Sequence, residues 1–116
     1  MQRFKIMGLF GARVRSVAPA EAWDAQRAGT LLIVDVRQPP EWRSGFVPGA
    51  ARIPLPEISR RTAELPEGGA LAFLCRSGHR SVLAARHARR GGHDVVSIRG
   101  GMAAWAAAGL PVLGPD

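Results

Sequence analysis

Leu71-Ala72-Phe73-Leu74-Cys75-Arg76-Ser77-Gly78-His79-Arg80-Ser81 is the stretch that decides how this chain folds. With Ala70, its first four residues make an apolar run of strand length, bounded upstream by the turn residues Pro66-Glu67-Gly68-Gly69. Such a run reads as a strand buried on both faces. At Cys75 the character changes to a short polar loop, and Ser81 to Arg90 then has helix-forming composition, with basic residues at its C-terminal end and Gly91-Gly92 as its stop. A buried strand passing through a tight polar loop into a helix is the repeating unit of parallel α/β sheets.

The same unit recurs on either side. Leu31 to Val34 is a second apolar run, ending at Asp35, and Asp94 to Ile98 is a third. Val14 to Val17 and Arg52 to Leu55 read as shorter strands. Pro19 occupies a first helical position ahead of EAWDAQRAG, with Gly29 as the stop; Gln38 to Ser44 reads as a helical turn, Pro56 to Leu65 as a weak helix, and MAAWAAAG before Pro111 as the last helix. Strands alternating with helices predict an α/β fold with a mainly parallel sheet covered on both faces.

The chain has 116 residues, 47% of them hydrophobic, which is enough for one domain with its own core. Cys75 is the only cysteine, so no internal disulfide or dithiol pair exists, and an oxidising compartment gains no support. With three scattered histidines besides, the usual four-ligand metal spacing is missing, and no phosphate-binding or dinucleotide glycine motif is present. The apolar stretch Ile6 to Phe10 is broken by Gly8 and too short for a signal sequence or a membrane span, so a cytoplasmic protein without membrane contact is expected. Residues 1–12 read as an N-terminal tail and a candidate for disorder, with Met7 as an alternative start, and residues 13–113 as the domain. The net charge of +7 rests on arginine, Lys5 being the one lysine. It suits either attraction to anions or an ordinary solvated surface coded with Arg in place of Lys. Few aromatics and no RNA-binding signature argue against nucleic acid.

Chemistry concentrates after the strand ending at Leu74. A lone Cys at a strand end is more often a small core residue than a nucleophile, but Arg-Ser-Gly-His-Arg-Ser cannot be packed into a core uncompensated. A loop around Cys75 that opens a helix aims unpaired N–H groups at one point, and Gly78 supplies the backbone freedom. Arg76 and Arg80 add fixed charge, and together these features predict a lowered thiol pKa. Arg80 follows Cys75 by five positions, a C-x4-R loop. Cysteine phosphatases have one more residue in this loop, so the shorter ring suits a single extra sulfur atom better than a tetrahedral phosphate.

Four segments, in order, resemble the rhodanese family across about Val14 to Val112. They are Leu32-Ile33-Val34-Asp35-Val36-Arg37; Glu41-Trp42 with Gly45-Phe46-Val47-Pro48-Gly49-Ala50; Cys75 to Ser81; and Gly100-Gly101-Met102 with Trp105 and Gly109-Leu110-Pro111-Val112. The resemblance implies a three-layer α/β/α fold and a sulfurtransferase. Cys75 would take a sulfane sulfur from a small anionic donor, thiosulfate or a persulfide, and pass it to cyanide, a thiol or a protein. It implies no cofactor and no metal.

The loop Arg76, Ser77, Gly78, His79 and Arg80 would cradle the sulfur, with Asp35, Arg37 and Ser81 in support. Asp35 and Arg37 read first as a structural ion pair or cap, Trp42 and Trp105 as packing residues, and His79 as a polar surface residue rather than a base. Phe46 stands where the family often has His. A monomer is expected. The alternatives are a binding or sulfur-delivery module with little small-molecule turnover and, disfavoured by loop length, a phosphatase or arsenate reductase.

Overall fold

A computed structural model describes residues 13–114. The N-terminal tail, with the choice between Met1 and Met7, lies outside them.

Five parallel strands form one sheet: β1 (Ser16–Val17), β2 (Leu31–Asp35), β3 (Ala51–Arg52), β4 (Ala70–Leu74) and β5 (Asp94–Ile98), in the order β1-β5-β4-β2-β3. The helices are α1 (Pro19–Arg27), α2 (Pro39–Arg43), α3 (Ile58–Arg61), α4 (His79–Arg90) and α5 (Gly101–Ala107). The two central strands, β4 and β2, are the apolar runs seen in the sequence, paired from Leu31–Ala70 through Asp35–Leu74. Alternate residues feed two cores, as the two-residue period of a strand requires. Val34, Leu71, Phe73, Cys75 and Val95 pack with Ala84, Ala85 and Ala88 of α4 on one face; Ile33, Ala72, Leu74, Val96 and Ile98 pack with Ala22 and Trp105 on the other. Trp105 is fully buried, meets Trp23 edge-on at 5.8 Å, and donates its indole N–H to the Pro111 carbonyl at 2.9 Å. Both sheet faces are thus covered, giving the three-layer arrangement.

Three elements are shorter than the sequence pattern suggests. The Val14–Val17 run pairs as a strand only at Ser16–Val17, on the sheet's edge. The Arg52–Leu55 run stops at Arg52, because Pro54 has no N–H for the ladder, although the Ile53 and Leu55 amides still reach the carbonyls of Asp35 and Val36. Pro56 to Leu65 breaks into a single α-helical turn, Ile58–Arg61, between two 3₁₀ turns. All three lie at the margins of the sheet, where few neighbours enforce regular geometry.

Parallel strands share one carboxyl edge. Along it, β3 ends in Arg52, β2 runs on through Val36 to Arg37, β4 through Cys75 to Arg76, and β5 into Arg99. Among the described residues no helix is long and apolar enough to cross a membrane.

Candidate active site

Cys75 follows the last residue of β4, the most buried strand, and its side chain is itself buried. The next residues wrap around it. Gly78 adopts φ +114°, a conformation open to glycine and costly for other residues, and so reverses the chain into α4. Its amide donates to Cys75 Sγ at 3.0 Å. No side chain caps α4. The sulfur takes that role instead, since the Ser81 amide, three residues past the cap, also points at it. A twelve-residue helix therefore directs its positive end at one sulfur atom.

Burial pushes the Cys75 thiol up, away from ionisation. Hydrogen bonds from the Ser81 hydroxyl and from the amides of Ser81, Gly78 and Ser77 outweigh it, and the net pKa lies below that of an ordinary thiol. The Ser81 hydroxyl, with the amide donors to which the sequence pointed, leads this lowering, and Arg80 adds a smaller charge attraction to Cys75.

Arg80 is engaged elsewhere. Its guanidinium grips Glu41 of α2 with two bonds of 2.7 and 2.9 Å. Glu41 also accepts the Gln38 amide at 2.9 Å, and its carboxyl is held down at about 2, chiefly by the Arg80 hydrogen bonds against a burial penalty. Arg37 forks onto the fully buried Asp35 through Nε and Nη2 at 2.9–3.1 Å, and its Nη2 also donates to the Gly45 carbonyl at 2.8 Å. These two pairs pin α2 to β2 and α4. Trp42, next to Glu41, leaves its buried indole N–H without a partner. Phe46 bridges to Leu113 through its backbone and lies beneath the Arg52 guanidinium, 4.3 Å from ring centroid to Cζ.

Arg76, Ser77 and His79 are exposed at the loop's surface. Arg76 borders an open cleft of about 500 Å³ with Arg37, Glu41, Ser44, Met102 and Ala103. Among the described residues no group of three or more His, Cys, Asp or Glu is placed to hold a metal.

Two contributors escaped the sequence reading. The Met102 and Ala103 amides at the start of α5 donate to the Cys75 and Arg76 carbonyls at 2.7 and 3.1 Å, turning those carbonyls outward so that the loop's own amides face the sulfur. That approach needs Gly101, where a Cβ would stand 2.4 Å from the Cys75 oxygen. The second is Ser97 of β5, whose hydroxyl lies 2.8 Å from the Ser81 hydroxyl. A glycine pair before a helix was visible in the sequence; its contact with a loop some 25 residues earlier was not, and nothing marked Ser97 among its apolar neighbours.

The arrangement presents one buried sulfur ringed by hydrogen-bond donors, in a loop whose exposed Arg76 borders the cleft.

Residues 18–108 match the rhodanese-like domain family. A sulfurtransferase from Allochromatium vinosum is 38% identical over 87 residues, which is 74% of this chain and 81% of that protein. Among solved structures, a rhodanese-related protein from Thermoplasma volcanium superposes with a TM-score of 0.80 at 26% identity, covering 88% of this chain and 99% of that one. A protein of unknown function from Rhodopseudomonas palustris, described there as a possible tyrosine phosphatase, gives 0.77 at 30% identity over 86% and 85% of the two chains. This chain spans 47% and 42% of two longer relatives. Fold, motif order and kinship agree: the chain belongs to the rhodanese-like domain family.

Proposed function

We propose that this protein transfers sulfane sulfur through a persulfide on Cys75. The Sγ thiolate attacks the outer sulfur of an anionic donor such as thiosulfate; the Sγ–S bond forms, the S–S bond of the donor breaks, and sulfite leaves with the bonding pair. A thiophile then attacks the outer sulfur of the persulfide. It gains that sulfur, and Cys75 leaves as thiolate, ready for another cycle. Cyanide would give thiocyanate, and a thiol would give a new persulfide. Splitting the transfer into two displacements lets one low-pKa thiolate serve first as nucleophile and then as leaving group.

The observation that carries this reading is the convergence of amide and hydroxyl donors on Sγ in a loop of only four residues between Cys75 and Arg80. Amides that stabilise the thiolate equally stabilise the outer sulfur of a persulfide anion. Engagement of Arg80 by Glu41 supports it further, because an arginine gripped by a carboxylate is poorly placed to hold a phosphate. The sulfurtransferase relative points the same way. Of the site residues, Cys75 is the proposed nucleophile and Ser77, Gly78 and Ser81 its donors. Arg76 attracts the donor anion, Arg80 with Asp35 and Arg37 braces the site, and His79 adds surface polarity with no proton to move.

Incubation of the reduced protein with thiosulfate, followed by intact-mass measurement, tests the reading. The expected result is a gain of about one sulfur atom, reversed by cyanide and absent in Cys75→Ala. Hydrolysis of an aryl phosphate by the wild type with no sulfur uptake would favour the phosphatase alternative instead.

A further inference from the structure

The strand order places arginines in a row. Reading along the carboxyl edge from β5 to β3, the residues at or just past the strand ends are Arg99, Arg76, Arg37 and Arg52. Strands lie about 4.8 Å apart, so the row spans roughly 14 Å, the length of about four extended residues. Arg37 is consumed by Asp35, while Arg99, Arg76 and Arg52 are exposed. None of these three forms an ion pair among the described residues: Arg99 donates to the Ser16 hydroxyl at 3.2 Å, and Arg52 covers Phe46. The carboxylates that leave this edge are in the opposite condition. Asp35, Glu41 and Glu57 are each held by an arginine, whereas Glu21 and Asp24 of α1 are exposed. Cys75, itself buried, follows β4 between the two ends of the row. Its loop meets the segment that follows β5 through the Cys75 and Arg76 carbonyls, which accept the Met102 and Ala103 amides, and reaches the β3 side through Arg80 and Glu41, whose neighbour Trp42 lies by Arg52.

Resting on the sulfur-transfer reading, we propose that the acceptor is a cysteine in an acidic, extended protein segment lying across this row, with carboxylates flanking the thiol on both sides. Arg52 and Arg99 take the flanking carboxylates and Arg76 the charge nearest the sulfur, which brings the acceptor thiol over Cys75. The acceptor thiolate attacks the outer sulfur of the Cys75 persulfide, the S–S bond breaks, and the acceptor cysteine becomes the persulfide while Cys75 returns to thiolate. A protein segment is preferred to single-stranded nucleic acid because bases need open aromatic faces to stack on. Here Phe46 lies under Arg52, and Trp42 lies 5.8 Å from the same guanidinium.

The test uses a fluorescent ten-residue peptide with one Ser at its centre in place of Cys, flanked by Asp and Glu, and a twin in which these are Asn and Gln. At low salt the acidic peptide is expected to bind at least about tenfold more tightly by anisotropy, an advantage that shrinks as salt rises. The Arg52→Gln/Arg99→Gln double variant should lose most of that advantage while keeping its melting temperature and its sulfur uptake from thiosulfate. The Arg52→Lys/Arg99→Lys variant should keep it. The Cys forms of the peptides should then accept sulfur in the same order. Equal binding of the twins, an advantage indifferent to the double variant, or displacement of the peptide by a lower concentration of an RNA oligonucleotide of equal charge would each overturn the proposal. Absence of sulfur uptake from any donor would instead remove the reading beneath it; uptake with no preference for the acidic peptide would remove this proposal alone.

Discussion

The two ends of the sheet carry clefts of nearly equal volume and very different chemistry. At the amino end, Glu67, Gly68, Gly69, Gly91, Gly92, His93 and Asp94 line about 460 Å³. At the carboxyl end the cleft beside Cys75 measures about 500 Å³. Volume therefore does not distinguish a site from a gap. Parallel strands and right-handed crossovers do, because they place helix N-termini at the carboxyl end and helix C-termini at the other. Amides of α4 and α5 converge on the Cys75 loop, whereas the amino-end cleft is lined by glycine turns that close α4 and precede β4.

Glycine substitutions give the largest contrast. At Gly101 (φ +57°) a Cβ would meet backbone atoms of Cys75 and Arg76 at 2.4 to 2.7 Å, so Gly101→Ala must displace the loop or α5. We expect about 2–4 kcal/mol of lost stability in chemical denaturation, and turnover reduced by roughly 10²-fold if the loop moves by about 1 Å. Gly92 also has a positive φ, +94°, but nothing lies within 4 Å of its Cβ position. Gly92→Ala should cost only about 1–2 kcal/mol, from backbone strain, and leave turnover of the folded protein unchanged. Equal activity losses in the two variants would dissolve the distinction between the ends.

The Glu41–Arg80 pair comes next. The folded-state carboxyl titrates near 2 against 4.5 for the free group, so its stabilising contribution is complete above about pH 4.5 and is lost as pH falls toward 2. Side chains exposed by 26% and 31% are partly screened, which leaves about 1–2 kcal/mol. Glu41→Gln should therefore lower the melting temperature at neutral pH and narrow its gap from wild type in acid. It also releases Arg80 beside the cleft, so the KM for thiosulfate should change more than the rate of the chemical step. A gap that stays constant down to pH 2 would mean that the pair contributes nothing through its charge.

How much of this was legible in the sequence depends on how local each signal is. β2, β4 and β5 could be read because a doubly buried strand is an unbroken apolar run, and the Cys75 loop because its polar residues are contiguous and out of place beside such a run. α1 and α4 announced their ends with Pro19, Gly29 and Gly91. What was not legible is what strand order brings together: Arg80 finds Glu41 thirty-nine positions away, and Gly101 meets Cys75 across a crossover. The partner of Arg80 was hidden for this reason. Spacing placed it near the sulfur, but only the position of α2 shows which anion it holds. At β3, the two prolines weighed more than the apolar pattern.

Ser97 gives the smallest and most discriminating expectation. The Ser81 hydroxyl has one proton and three neighbours, namely Sγ at 3.6 Å, the Gly78 carbonyl at 3.1 Å and Ser97 Oγ at 2.8 Å. With Cys75 protonated, the thiol can donate to Ser81, whose own proton can go to Gly78. With Cys75 ionised, Ser81 serves best by turning its proton to the sulfur, and Ser97 then supports it by donating to the Ser81 oxygen. Ser97→Ala removes that support without touching the sulfur and leaves only a small cavity. The pH profile of iodoacetamide alkylation should therefore shift up by a few tenths of a unit, about 0.3, and by more in Ser81→Ala, which loses the direct donor. Melting temperatures of both variants should stay within a few degrees of wild type, about 1 kcal/mol. A profile that moves in Ser81→Ala and not in Ser97→Ala would confine thiolate stabilisation to the loop itself; one that moves in both extends the site to β5.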